Sequence, residues 1–202
     1  MFKSTRTAAT LAVLILVACA AMAAAQAPAQ APAAAPAPPA VPIQWMGNLI
    51  NMQGGGTTFL TVRAYDFTPP AVVDALKDML KAQGQTAVVN ELNAMPAIGY
   101  LQFDQSLAYY VSVMRYIPTP TGYRIVAACA RQIGFVGMVR QGIVTTQYPV
   151  GMVILDINKD GKSTGQVLPA VKLQFDKDGK FDPEAYGTEP LRILNIREEK
   201  VK

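Results

Sequence analysis

The feature that most narrows the fold of this chain is a succession of short alternating runs between residues 43 and 197, each closed by a turn signal. Ile43, Trp45, Gly47 and Leu49 alternate with Gln44, Met46, Asn48 and Ile50, a period of two that sends one set to each face of a strand. A second run covers residues 57–67, and Gln53-Gly54-Gly55-Gly56 ahead of it has the composition of a hairpin connection. Further runs lie at 97–103, 107–117, 123–130, 148–157, 166–175 and 191–197. Between them stand Pro118-Thr119-Pro120-Thr121-Gly122, Asn158-Lys159-Asp160-Gly161 and Asp176-Lys177-Asp178-Gly179, residues that favour tight turns. Residues 131–142, broken by Gly134, Gly137 and Gly142, fit a bent edge strand or a flap over a cavity.

One segment departs from this period. Val72, Val73, Leu76, Met79 and Leu80 recur at helical spacing after Thr68-Pro69-Pro70, which predicts a capped start with prolines in the first turn. Gly84 ends that helix, and Thr86 is placed to cap a shorter one carrying Val88, Val89, Leu92 and Met95 before Pro96. The expected fold class is α+β: an antiparallel meandering sheet or partial β-barrel of seven to nine strands with one inserted helical hairpin.

Ahead of the strands the composition changes twice. Residues 1–25 carry Lys3 and Arg6, an apolar run and a small-residue end at Ala23-Ala24-Ala25, the three regions of a secretory signal peptide. Leu16-Val17-Ala18-Cys19 also has the form of a lipobox, which predicts lipidation of Cys19 as the alternative outcome. Residues 26–42 are an Ala/Pro-rich linker that favours an extended, polyproline-like spacer. A single globular domain is expected over 43–202, and the expected location is periplasmic or secreted, or the outer membrane through a lipid on Cys19.

Residue types exclude much chemistry. The chain has no histidine, which removes Ser-His and Cys-His dyads and every His-containing metal site. Setting aside Lys3 and Arg6 leaves 16 basic against 14 acidic side chains in the domain, a balance that does not favour nucleic acid. Tyr109, Tyr110, Arg115, Tyr116, Tyr123 and Arg124 interleave in the manner of a base-stacking surface, but sheet packing accounts for them equally. Asp156, Asn158, Asp160 and Gly161 open like a calcium loop, yet the twelfth position is Val167, so a hairpin turn is the expected reading and no metal or other cofactor is expected. The carboxylates Asp66, Asp104, Glu184 and Glu189 are expected to be solvated rather than paired for catalysis. Ser106, Ser112 and Ser163 lie in no nucleophile motif. Cys129, in an apolar strand-like run, is expected to be a buried, inert thiol.

What remains is a noncatalytic binding domain, for an apolar small molecule or an envelope protein. The candidate ligand residues are Trp45, Phe135, Met138 and Tyr148 around an apolar cavity, with Arg131 and Arg140 beside them. The alternative is a membrane-anchored adaptor that touches the membrane only through Cys19, and a third reading is an enzyme without histidine that works through carboxylates or tyrosine alone. The order Arg131-Gln132-Ile133-Gly134-Phe135, Tyr148-Pro149, the Asp156 turn, Leu173-Gln174-Phe175-Asp176 and Tyr186-Gly187-Thr188-Glu189-Pro190-Leu191-Arg192 resembles a group of uncharacterised exported bacterial proteins over most of residues 57–196. That resemblance implies an exported domain and carries no activity, cofactor or site residue.

Overall fold

Ile43, Trp45 and Leu49 fall on the inner face of β1 (Ile43–Ile50), each 3% exposed or less, as the alternation requires. The computed structural model describes residues 37–50, 57–104, 106–134, 146–186 and 190–201, within the unit Ala35–Lys202. After β1 come β2 (Thr57–Ala64), α1 (Pro70–Gln83), α2 (Gln85–Ala94), β3 (Gly99–Phe103), β4 (Tyr109–Val111), β5 (Val113–Thr119) and β6 (Gly122–Cys129). Then follow β7 (Val150–Asn158), β8 (Thr164–Lys172), the two-residue β9 (Glu184–Ala185) and β10 (Leu191–Lys200). The class is α+β, as expected from the sequence.

Every pairing is antiparallel, in the order β4-β3-β2-β1-β10-β8-β7-β6-β5, with β9 added to β8. The two ends of this path, β4 and β5, are consecutive in the chain, separated only by Ser112. The nine strands therefore curl into a nearly closed barrel, with one bent segment serving both edges; such closure removes the unpaired edges of an open sheet. At the bend, Ser112 N–H donates to Ala128 C=O at 3.2 Å, reaching from the β4 side to β6.

The seam is stitched on either side of that bend. Toward the end of the barrel where Ile43 and Lys200 pair, here the lower end, residues 65–68 run beside β5. Thr68 N–H bonds Met114 C=O at 2.8 Å, and Met114 N–H bonds the Thr68 hydroxyl at 2.9 Å. Toward the upper end, an Arg131 N–H donates to Ala108 C=O at 3.0 Å, and the Tyr109 hydroxyl donates to Gly134 C=O at 2.8 Å. Thr68 is thus occupied in the seam and does not cap α1. Pro69 stands at the N-cap position without a side-chain bond, and Pro70 opens the helix. Thr86 does not cap α2 either. Gly84, at φ 79°, ends α1 and occupies the N-cap position of α2, so the second helix starts two residues too early for Thr86 to cap it.

Side chains fill the barrel. Leu60, Val62, Leu101, Met114, Ile125, Leu155 and Ile193 are buried inside with Trp45, each apolar side chain so placed contributing about 1.5–3 kcal/mol. A bulge where Asn195 adopts φ 54° lets β10 turn both Ile193 and Ile196 inward. The helical hairpin lies outside, with Leu80, Val88 and Leu92 against Val150, Met152, Leu168 and Val171 of β7 and β8. Most of β7 is consequently buried on both faces, which explains its almost uninterrupted apolar run.

Candidate functional site

The hairpin packs on β7 and β8, and the outer face of β1 to β4 carries exposed aromatic side chains, Phe59 and Tyr110 among them. That wall carries the outward phase of β2, namely Phe59, Thr61 and Arg63, with Tyr65 just beyond the strand. Arg63 pairs with Gln44 on one side and Tyr100 on the other, and Tyr100 pairs with Tyr110. The row Gln44–Arg63–Tyr100–Tyr110 therefore crosses four strands, about 14 Å at the usual strand spacing. Tyr110 is 67% exposed and Tyr65 50%. The Tyr65 and Tyr100 ring centres lie 6.2 Å apart.

Arg63 is the charged centre of this wall. Its guanidinium stands over the Tyr65 ring at 5.4 Å, a cation–π contact. Its Nε is buried without a hydrogen-bond partner. The ion pairs among the described residues, Lys77–Asp74, Arg124–Asp156 and Lys172–Glu184, leave Arg63 out. The acidic residues flanking the wall are otherwise engaged: Asp66 accepts from Phe67 N–H and Asp104 from Phe59 N–H, both at 2.8 Å, and Glu199, paired with Gln44 at the end of the row, accepts from the Gln44 amide at 3.2 Å. Arg63, Tyr65 and Tyr100 were not among the residues singled out from sequence. Their signal was there, in large aromatic and cationic side chains on the outward phase of strands whose inward phase is apolar.

Of the sequence candidates that lie among the described residues, Trp45 stands at the opposite end of the barrel from Arg131 and Tyr148. Trp45 is inside near the lower end, 1% exposed, its indole N–H bonded to the Tyr123 hydroxyl at 3.0 Å. Arg131 is a seam residue near the upper end, its guanidinium also 4.7 Å from the centre of the Tyr109 ring. Tyr148 stands two residues before β7, at the upper end, and its hydroxyl donates to Glu184 at 2.5 Å while Lys172 lies 3.4 Å from the other carboxylate oxygen. The Tyr148 bond, aided by Lys172, holds the Glu184 carboxyl below its ordinary range, and the same bond raises the Tyr148 phenol. Phe135, Met138, Arg140, Glu189 and Cys19 lie outside the described residues.

The calcium-like residues serve the β7–β8 hairpin. Asp156 pairs with Arg124 at 2.7 Å, Asn158 accepts from the Thr121 hydroxyl at 2.8 Å, and Asp160 accepts from Lys162 N–H at 3.0 Å. Among the described residues no group of three or more acidic or thiol side chains is gathered to hold a metal ion. The interleaved tyrosines and arginines divide between faces: Tyr109, Tyr116 and Tyr123 pack against the interior cluster, while Tyr110 points outward. Grooves also lie elsewhere on the outside of the barrel. One of about 560 Å³ is lined by Asp156, Thr164, Gln166, Pro190, Arg192 and Leu194. Another, about 420 Å³, lies along Met46, Asn48, Phe59, Asn195 and Arg197, bordering the tyrosine wall.

Among the described residues no helix is long and apolar enough to cross a membrane. No family model, curated protein or solved structure matches this chain.

Proposed function

We propose that this chain is a noncatalytic exported envelope domain that binds its partner on the outer wall of β1 to β4. The observation that carries the reading is the cross-strand row Arg63–Tyr100–Tyr110 with Tyr65 beside it, aromatic and cationic side chains left facing outward. Exposed aromatic patches of this kind mark interaction surfaces rather than fold requirements. Two further features support it. The barrel bore is occupied by the protein's own side chains, as small barrels permit. The carboxylates Asp66, Asp104 and Glu184 are bonded to the protein rather than held as an opposed acid-base pair. Export rests on the charged, apolar and small-residue order of residues 1–25.

The test is photo-crosslinking in the native envelope. A benzophenone side chain at position 110, which reacts with C–H bonds of any nearby molecule, is expected to give adducts. The same group at position 78, an exposed site on α1, is expected to give none. Equal yields at the two positions, or no adduct at 110, would remove the wall as the binding surface.

A further inference from the structure

The geometry points to a carboxylate-bearing glycan, of the uronic-acid type, as the ligand of the Arg63 wall. This inference rests on the binding reading above and names the chemistry of what is bound.

The first argument concerns what the wall does not offer. β2 is paired with β1 along its whole length and with β3 over Leu60–Ala64, so the backbone there is engaged inside the sheet. A peptide cannot add as a strand to a face, only to an edge. Recognition must therefore use side chains alone.

The second argument concerns what it does offer. Tyr65, Tyr100 and Tyr110 present phenol rings with an apolar body and a polar tip, suited to the C–H face and hydroxyl rim of a sugar ring. Gln44 and Gln102 stand on the same outer phase, each donating its amide N–H elsewhere, to Glu199 at 3.2 Å and to Ser106 C=O at 3.0 Å. Each side-chain carbonyl stays available to accept from a sugar hydroxyl.

The third argument is charge. Arg63 is a cation that none of the ion pairs among the described residues includes. A ligand carboxylate supplies two acceptor oxygens to the guanidinium fork, the arrangement in which arginine binds most strongly. A neutral sugar can accept hydrogen bonds from the guanidinium but leaves its charge unpaired. The row is long enough for a short oligosaccharide lying across β1 to β4.

The experiment titrates the full chain with alginate oligosaccharides, with dextran oligosaccharides as the neutral control and poly-glutamate as the acidic peptide control. Saturable binding of alginate, weakened by salt, is expected, without binding of dextran or poly-glutamate. Tyr110→Ala alters a side chain that is two-thirds exposed and is expected to weaken alginate binding about tenfold, the equivalent of about 1.4 kcal/mol. Arg63→Lys keeps the charge, removes the fork and is expected to weaken it by about as much. Trp45 fluorescence verifies that both variants remain folded. Poly-glutamate binding as tight as alginate overturns the glycan assignment, and dextran binding as tight overturns the role of Arg63. Absence of any alginate binding overturns the proposal. In each of these cases adducts at position 110 would show that the wall still binds something else.

Discussion

Trp45 and Tyr123 meet across the diameter of the barrel: their strands, β1 and β6, lie four steps apart along the sheet in the β10 direction, yet the indole N–H bonds the phenol oxygen at 3.0 Å. The rings pack edge to face with centres 6.4 Å apart, and the Tyr123 hydroxyl in turn donates to Glu198. Removing that hydroxyl leaves a buried indole N–H with no acceptor, which costs about 1–3 kcal/mol. Tyr123→Phe is therefore expected to lower the urea midpoint with an unchanged slope. Trp45 is the single tryptophan of the chain, so its emission reports the transition directly. An unchanged midpoint would mean that the contact is not part of the folded state's stability.

The same phenol gives the fold an alkaline limit. Burial, and then donation to the Glu198 carboxylate, push the Tyr123 ionisation well above the ordinary tyrosine range. In the unfolded chain it ionises near its ordinary value of about 10. The unfolded state thus loses this proton first, so the contribution is fully present below about pH 10 and is lost as pH rises beyond it. Unfolding midpoints measured from about pH 9 to 11 should fall more steeply for the native chain than for Tyr123→Phe. Parallel curves would rule out Tyr123 as the group responsible.

How far the sequence could be read is clearest at particular residues. The odd-numbered phase of β1 was legible because one apolar side chain in two already states which face is inside. The helical hairpin was legible from Val72 to Leu92 for the same reason, with a period of 3.6. Its capping was not, since Thr68 is drawn into the seam by Met114, a partner 46 residues away. The run 107–117 read as one strand, and only the closure of the sheet at Ser112 divides it in two. Arg131 looked like a ligand residue because a cation beside glycines has no local explanation. Its partner, Ala108 C=O, becomes a neighbour only when the barrel closes. The Arg63 wall was missed because polar outward residues on strands are ordinary one at a time, and only cross-strand register brings Arg63, Tyr100 and Tyr110 into one row.

Cys129 ends β6 inside the barrel, fully buried. Burial pushes its thiol up to about 12, against a smaller opposing effect of Arg131. Reactivity requires the thiolate and access to it, and both are denied. In a Cys19→Ser chain, a thiol reagent at pH 8, just below the free thiol's ordinary value of about 8.5, should label nothing in native buffer and one site in urea, with labelling following the Trp45 emission. Rapid native labelling would show that the β6 end of the bore opens.

Arg131 decides between a seam and a ligand role. One N–H bonds Ala108 C=O at 3.0 Å and the guanidinium plane covers Tyr109 at 4.7 Å, so the side chain ties the β6 extension to the start of β4 where direct strand pairing is absent. Arg131→Ala removes a charged hydrogen bond and a cation–π contact at a partly exposed position, together about 1–2 kcal/mol. Arg131→Lys keeps the charge without the planar fork and is expected to recover only part of the loss. Hydrogen exchange should quicken at the amides of Tyr109–Val111 in both variants, while those of α1 and α2, which pack on the other side of the barrel, keep their protection. A midpoint and exchange pattern unmoved by Arg131→Ala would return this residue to the ligand candidates, since a side chain held only for a bound molecule has no part in keeping the unliganded seam shut.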